Sequence, residues 1–259
     1  MDLGISGRKA IVCASSKGLG LACAISLAQA GVHVVINGRS EETLAKARDE
    51  ILRVADVTIK IVAADVATQE GRAAVLSAEP EADILVTNCG GPKAGDFRDW
   101  DEAAWIGALQ MNMIAPIMLM RDTVDGMAAR GFGRVVNITS RSVKTPLAKL
   151  GLSNGARAGL TGFVAGLSRE MAQHNVIINN LLPGPFLTDR IRSSAARDAE
   201  SSSKTVEEII AQRAKASPVR RLGRPEEFGN ACAYLCSAHA EYIVGQNILM
   251  DGGGFASTV

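Results

Sequence analysis

Ser153 and Arg157 stand four residues apart in a stretch that reads as a helix, so their side chains share one face. A guanidinium there can donate hydrogen bonds to a sugar hydroxyl or to a developing oxyanion. With a pKa above ~12 it does not supply a proton. An aliphatic hydroxyl is also far less acidic than a phenol, whose pKa of about 10 a nearby cation can tune toward neutrality. Ser140 lies upstream and can polarise a carbonyl. From Gly126 to Arg169 there is no Asp or Glu, while Arg130, Arg134, Arg141, Lys144, Lys149, Arg157 and Arg169 are present. Arg130, Arg134 and Arg169 read as solvated charges. Arg141 and Lys144 follow a strand, where they suit an anionic substrate, and a lysine whose pKa is lowered would serve as an acid.

A second group of residues suits a nucleotide. Ser15, Ser16, Lys17, Gly18, Leu19 and Gly20 follow an apolar strand and open a helix. Glycines at that junction permit a tight turn and let the main chain approach a pyrophosphate at the helix N-terminus. The second strand ends in Asn37-Gly38-Arg39, where an NAD-specific site would place a carboxylate for the ribose hydroxyl. Arg39 and Lys17 instead suit a 2′-phosphate, so NADP(H) is expected, with NAD(H) as the alternative.

The elements that must position these residues alternate regularly. Apolar runs at 9–13, 32–36, 58–63, 84–86, 133–138, 176–181 and 248–250 read as strands, with helical stretches between them. Gly31 closes the first helix and Ser40 caps the second. Continuous rather than alternating apolar strands imply a parallel sheet of about seven strands with helices on both faces. The expected fold is therefore α/β, a single doubly wound, Rossmann-type domain spanning 1–259. Residues 188–218, rich in Ser, Ala and charge, are expected to form a substrate lid.

The chain has 259 residues, of which 47% are hydrophobic and 21% charged, and its net charge is +1. That balance carries no basic excess for nucleic acid, and no apolar run approaches the ~20 residues of a membrane span. Five scattered cysteines without a Cys-x-x-Cys pair suit free thiols in a cytoplasmic setting. The three histidines do not cluster with cysteines or carboxylates, so no metal site is expected.

The ordered set of motifs resembles the short-chain dehydrogenase/reductase family, within its acyl-carrier-protein-reductase-like branch lacking the usual catalytic residues. It runs from the glycine loop through Asp65-Val66, Thr87-Asn88-Cys89-Gly90, Asn112 and Asn137-Ile-Thr-Ser140 to Pro183-Gly184, Thr188, 221–227 and Asp251-Gly-Gly253. The resemblance implies that Asp65 and Val66 meet the adenine, that Asn88 and Gly90 line the cofactor site, and that Asn112 supports a water relay. It further implies that Pro183, Gly184 and Thr188 hold the nicotinamide carboxamide. The chain departs from the family at four places. Cys13-Ala14 replaces Thr-Gly, Thr87-Asn88-Cys89-Gly90 keeps only the second Asn and the Gly of Asn-Asn-Ala-Gly, Ser153 stands for the proton-donating tyrosine, and Arg157 for the lysine. The expected activity is NADP(H)-dependent oxidation or reduction of a carbonyl/alcohol pair, with Ser140, Asn112, Ser153, Arg157 and Lys144 as candidate catalytic residues. A lyase or isomerase on the same fold, or a nucleotide-binding pseudoenzyme, are the rivals. A homotetramer or homodimer is expected from the apolar helices around 114–120 and 156–166.

Overall fold

The computed structural model describes residues 1–200 and 202–257. Its strands are β1 (Lys9–Val12), β2 (His33–Gly38), β3 (Ile59–Ala63), β4 (Ile84–Thr87), β5 (Gly133–Ile138), β6 (Val176–Pro183) and β7 (Asn247–Met250). They form one parallel sheet in the order β3-β2-β1-β4-β5-β6-β7. The chain winds outward from β1 to β3, then returns to β4 and winds the other way. Ligands of such sheets bind at the carboxyl ends flanking that reversal, here between β1 and β4.

Alternation within each strand feeds two cores. Ala10 and Val12 of β1 join one core with α1 (Gly18–Gln29), α2 (Glu41–Leu52) and α10 (Pro225–Leu235). Ile11 and Cys13 join the other, under α3 (Gln69–Ala78), α5 (Ala115–Arg121), α6 (Val124–Ala129) and α7 (Gly151–Met171). Each fully buried Ile or Leu in these layers contributes about 1.5–3 kcal/mol. Ser40 caps α2 by accepting from the Thr43 amide at 3.4 Å, and Gly31 (φ +81°) ends α1 in the left-handed region, as the sequence predicts.

The run from α4 (Glu102–Leu109) to α5 is continuous, because Gln110–Ile114 forms a π-helical turn between them. The whole of Glu102–Ala129 is long and apolar enough, by length and composition, to cross a membrane. The expectation that no stretch approaches a membrane span is corrected on that count. Here its inner side covers the sheet through Leu119, Met120, Val124 and Met127.

Two further details position the site. Thr87, Asn137, Asn180 and Asn247 lie side by side in register across β4 to β7. Thr87 donates to Asn137 at 2.6 Å and Asn180 to Asn247 at 2.8 Å, so this polar row ties β4 to β5 and β6 to β7. Arg134, expected to be solvated, is fully buried at the opposite end of β5. It donates to the carbonyls of Ser237 and Asn175 and pairs with Glu241 at 3.0 Å. The correction has a simple cause: a guanidinium can be buried when neighbouring carbonyls accept its protons.

Candidate active site

The first part of the site is a main-chain cradle between β1 and α1. Ala14 adopts φ +46°, a left-handed conformation that costs a residue with a Cβ roughly 1–2 kcal/mol. The turn forms although the glycine that the resemblance implies is absent. Gly18 (φ +61°) continues it, and a Cβ on Gly20 would lie 2.3 Å from the Ala14 carbonyl oxygen. That same carbonyl accepts from Asn88 at 3.3 Å, so Asn88 braces the turn from the end of β4. Ser15 is wholly buried, donating to the Val12 carbonyl at 2.7 Å and accepting from the Asn37 amide at 3.0 Å. Its hydroxyl is thus used inside the protein. Ser16 packs against Gly38, and Lys17 is exposed at the start of α1. Lys17 and the exposed Arg39 have no ion-pair partner among the described residues.

The rim beyond the cradle is tied together. Asp65 accepts from the Ala67 amide at 2.9 Å, Val66 is buried, and Gln110 donates to the Ala67 carbonyl at 2.9 Å. Gly90 is exposed. Past β6, the Gly184 amide donates to the Met250 carbonyl at 2.8 Å, and Thr188 swings to within about 4 Å of where a Gly18 Cβ would stand. Pro183 closes β6 itself. Gly18, Asn88, Gly184 and Thr188, far apart in sequence, therefore converge around one cleft at the strand ends. The cleft fits a dinucleotide: a cradle that side chains would fill, with unpaired cations at its mouth.

The second part of the site is built from side chains. Ser153 and Arg157 are both buried on α7, and Arg157 Nε donates to Ser153 Oγ at 3.3 Å. Arg157 Nη1 donates to the carbonyl of Ile138, the last residue of β5, at 2.8 Å. Its Nη2 makes no hydrogen bond within the described protein, and no carboxylate pairs with it. Burial lowers the Arg157 pKa from its ordinary value, the Cys89 thiol opposes this, and the charge of Arg190 adds to it. Ser140 accepts from the Ser142 amide at 3.1 Å, so its own proton remains free to donate. Asn112 is buried in the π-turn, donates to the Ala108 carbonyl at 3.3 Å, and accepts from the Cys89 thiol at 3.4 Å. Lys144 is exposed, its Nζ 5.5 Å above the Phe255 ring.

Residues 188–218 fold as α8 (Asp189–Glu200) and α9 (Val206–Ala216), joined by a bond of Arg213 to Ser194 at 3.1 Å. This segment contributes a residue that sequence reasoning missed. The Arg190 guanidinium lies against Gly91, where an added Cβ would sit 2.5 Å from Nη2 and 2.6 Å from Nη1. The signals were the doubled glycine Gly90-Gly91 and an arginine two residues past Thr188, but nothing in one sequence pairs them. Cys89 was likewise read only as a free thiol; it is half-buried in the cleft. Burial pushes its pKa up, and Arg157 and Arg190 pull it back. A separate cavity of about 250 Å³, lined by Phe186, Arg221, Met250 and Asp251 among others, does not include the Ser153–Arg157 pair.

A doubly wound parallel sheet with a glycine cradle at its switch point and a hydroxyl–cation pair beyond it defines a dinucleotide-dependent oxidoreductase class. A family model described as enoyl-(acyl carrier protein) reductase matches residues 13–254, and the chain belongs to the short-chain dehydrogenase/reductase family. It is 34% identical over 254 residues to dehydrogenase/reductase SDR family member 4 of Oryctolagus cuniculus, covering 96% of this chain and 94% of that one. It is 30% identical over 258 residues to the uncharacterized oxidoreductase YvaG of Bacillus subtilis, covering 98% of both. Among solved structures, L-sorbose reductase from Gluconobacter frateurii, complexed with NADPH and L-sorbose, matches with TM-score 0.94 and 32% identity. That match covers 99% of this chain and 100% of that one. YwfH, an NADPH-dependent reductase involved in bacilysin biosynthesis, matches with TM-score 0.91 and 28% identity, covering 97% and 100%.

Proposed function

We propose that this protein is an NADP(H)-dependent reductase or dehydrogenase of a carbonyl/alcohol pair whose proton chemistry differs from that of its family. The observation that carries the reading is Arg157. It is held by Ser153 and Ile138 with its Nη2 unused, a donor on a buried side chain that can stabilise negative charge. NADP(H) supplies or accepts the hydride. Lys17 and Arg39 would hold its 2′-phosphate, the Gly18–Gly20 turn its pyrophosphate, and the Thr188 loop its nicotinamide end. Ser140, with its proton free, orients the substrate carbonyl. Arg157 Nη2 stabilises the oxygen as charge builds there, and Asn112 anchors the water from which the proton comes. Lys144 is an alternative proton source at the solvent edge.

NADPH consumption, followed by absorbance over a panel of aldehydes, ketones and oxo acids, tests this reading. Turnover that falls in Arg157→Ala and Ser140→Ala supports it. NADPH binding without turnover of any carbonyl would instead favour the pseudoenzyme, and product formation without a change in NADPH would favour a lyase or isomerase.

The same reading includes self-association and a cytoplasmic location. Trp105, Ile106 and Ile114 on the long helix and Phe163 on α7 are exposed, with nothing packed against Gly162 or Gly166. A second copy would cover this apolar surface, giving a dimer that pairs into a tetramer. Light scattering checks it, a 27 kDa particle being the contrary result. All five cysteines are free, which suits a reducing compartment.

A further inference from the structure

Two guanidinium groups lie near the Cys89–Gly91 segment, and neither forms an ion pair among the described residues. Arg157 comes from α7 beneath it, buried, with only Nε and Nη1 engaged. Arg190 comes from the lid, where its side chain is exposed above the cleft and its terminal nitrogens rest on Gly91. A Cβ at position 91 would push that guanidinium aside. Asp65, whose charge also reaches Cys89, bonds the Ala67 amide and pairs with neither arginine among the described residues. Like charges in a site of reduced dielectric repel, and each is felt at Cys89. An arrangement of this kind is stabilised by an anion between its members, and guanidinium forks bind carboxylates through paired hydrogen bonds.

We propose that Arg190 is a specificity-determining residue, and that Arg190 and Arg157 together clamp a substrate carrying a carboxylate close to its reacting carbonyl. Arg157 takes the carbonyl oxygen and Arg190, brought down by the lid, takes the carboxylate. The proposal rests on the reductase reading for the role of Arg157, and it names the substrate class for that site. The competing source of an anion is the cofactor pyrophosphate, since Thr188, two residues before Arg190, already adjoins Gly18.

The probe is oxamate, a carboxylate beside an amide carbonyl that does not accept hydride, with its neutral methyl ester as control. Calorimetry of the protein saturated with NADPH is expected to show oxamate binding at millimolar or lower concentration and weaker binding of the ester. Arg190→Met should weaken oxamate about ten-fold or more, the loss of a charge-assisted hydrogen bond, while leaving NADPH affinity within about two-fold. Gly91→Ala, which keeps the arginine but displaces it, should weaken oxamate in the same direction. Circular dichroism confirms that both variants are folded. Wild type that fails to bind oxamate, or equal binding by wild type and Arg190→Met, overturns the clamp. So does a loss confined to NADPH, which would assign Arg190 to the pyrophosphate. Because oxamate is not turned over, these results stand apart from carbonyl reduction: failure of the reductase reading would appear as absent NADPH consumption with oxamate binding intact.

Discussion

At the β1–α1 turn, Ala14 stands where the resemblance implies glycine, and the chain adopts a left-handed turn there all the same. At the start of α7, Ser153 and Arg157 stand where the resemblance implies tyrosine and lysine, and the donors there are an aliphatic hydroxyl and a guanidinium. Both regions border one cleft, yet the same kind of event, a changed side chain, has unequal consequences. The nucleotide side works through main-chain amides, turns and close approach, so one methyl group alters its energy more than its shape. The α7 side works through side-chain atoms, so changing the residue changes the chemistry. The Arg157 guanidinium sits beside Ser153 and bonds to the end of β5.

The sharpest way to break this contrast is at Arg157. Arg157→Ala is expected to lower kcat about 10²–10³-fold, the range for removing one donor to a developing oxyanion. Ser153→Tyr with Arg157→Lys should fail to restore it, because the phenol would enter space that the substrate uses and a lysine lacks the guanidinium fork. Full turnover kinetics of the two single variants and the double variant check this, with a gain of activity in the double variant as the contrary result. On the nucleotide side, only a side chain that blocks the main chain should matter comparably. Gly20→Ala would put a Cβ 2.3 Å from the Ala14 carbonyl oxygen and is expected to cost about 1–3 kcal/mol in urea unfolding, together with NADPH affinity.

Smaller effects refine the comparison. Arg39→Ala should reduce the preference for NADPH over NADH about ten-fold, measured by calorimetry with both cofactors, because one charged hydrogen bond is worth about 1.5–3 kcal/mol. Ala14→Gly should stabilise the protein by about 1 kcal/mol, through relief at φ +46°, and leave NADPH affinity nearly unchanged. A control lies outside both regions. Hydrogen bonds from Arg221 and then from the Arg224 amide hold Glu227 at about 2, below its ordinary 4.5. A carboxylate lowered on folding stabilises above its unfolded pKa and loses that contribution as pH falls from about 4.5 toward 2. Glu227→Gln should flatten the melting temperature over that window and leave it unchanged in slope near neutrality.

The strands and the cradle were legible in the sequence because burial on both faces leaves unbroken apolar runs and tight turns leave glycines. The strand spanning 133–138 is found at the residues read from its pattern, and others differ by one or two at their ends. Ser153 and Arg157 were legible as a pair because a helix repeats every 3.6 residues. The clash of Arg190 with any side chain at position 91 was not, since the two meet only after the chain has crossed the sheet. Nor was the burial of Arg134, which depends on carbonyl acceptors from Asn175 and Ser237, remote in sequence. Ser15 shows the reverse limit: a loop hydroxyl next to a phosphate site looks available until the fold turns it inward.

The π-turn at Gln110–Ile114 has a consequence for how this protein can change over generations. Such a turn holds one residue more than the α-helix it interrupts, and each residue of helix corresponds to about 100° of rotation. Deleting Met113 would therefore remove the surplus residue and leave a regular helix, with Leu119 and Met120 still against the sheet and Trp105 and Ile106 still outward. What such a deletion alters is the turn itself, which carries Asn112. A lost codon there would touch the cleft and spare the packing on either side, a change that no point substitution reproduces.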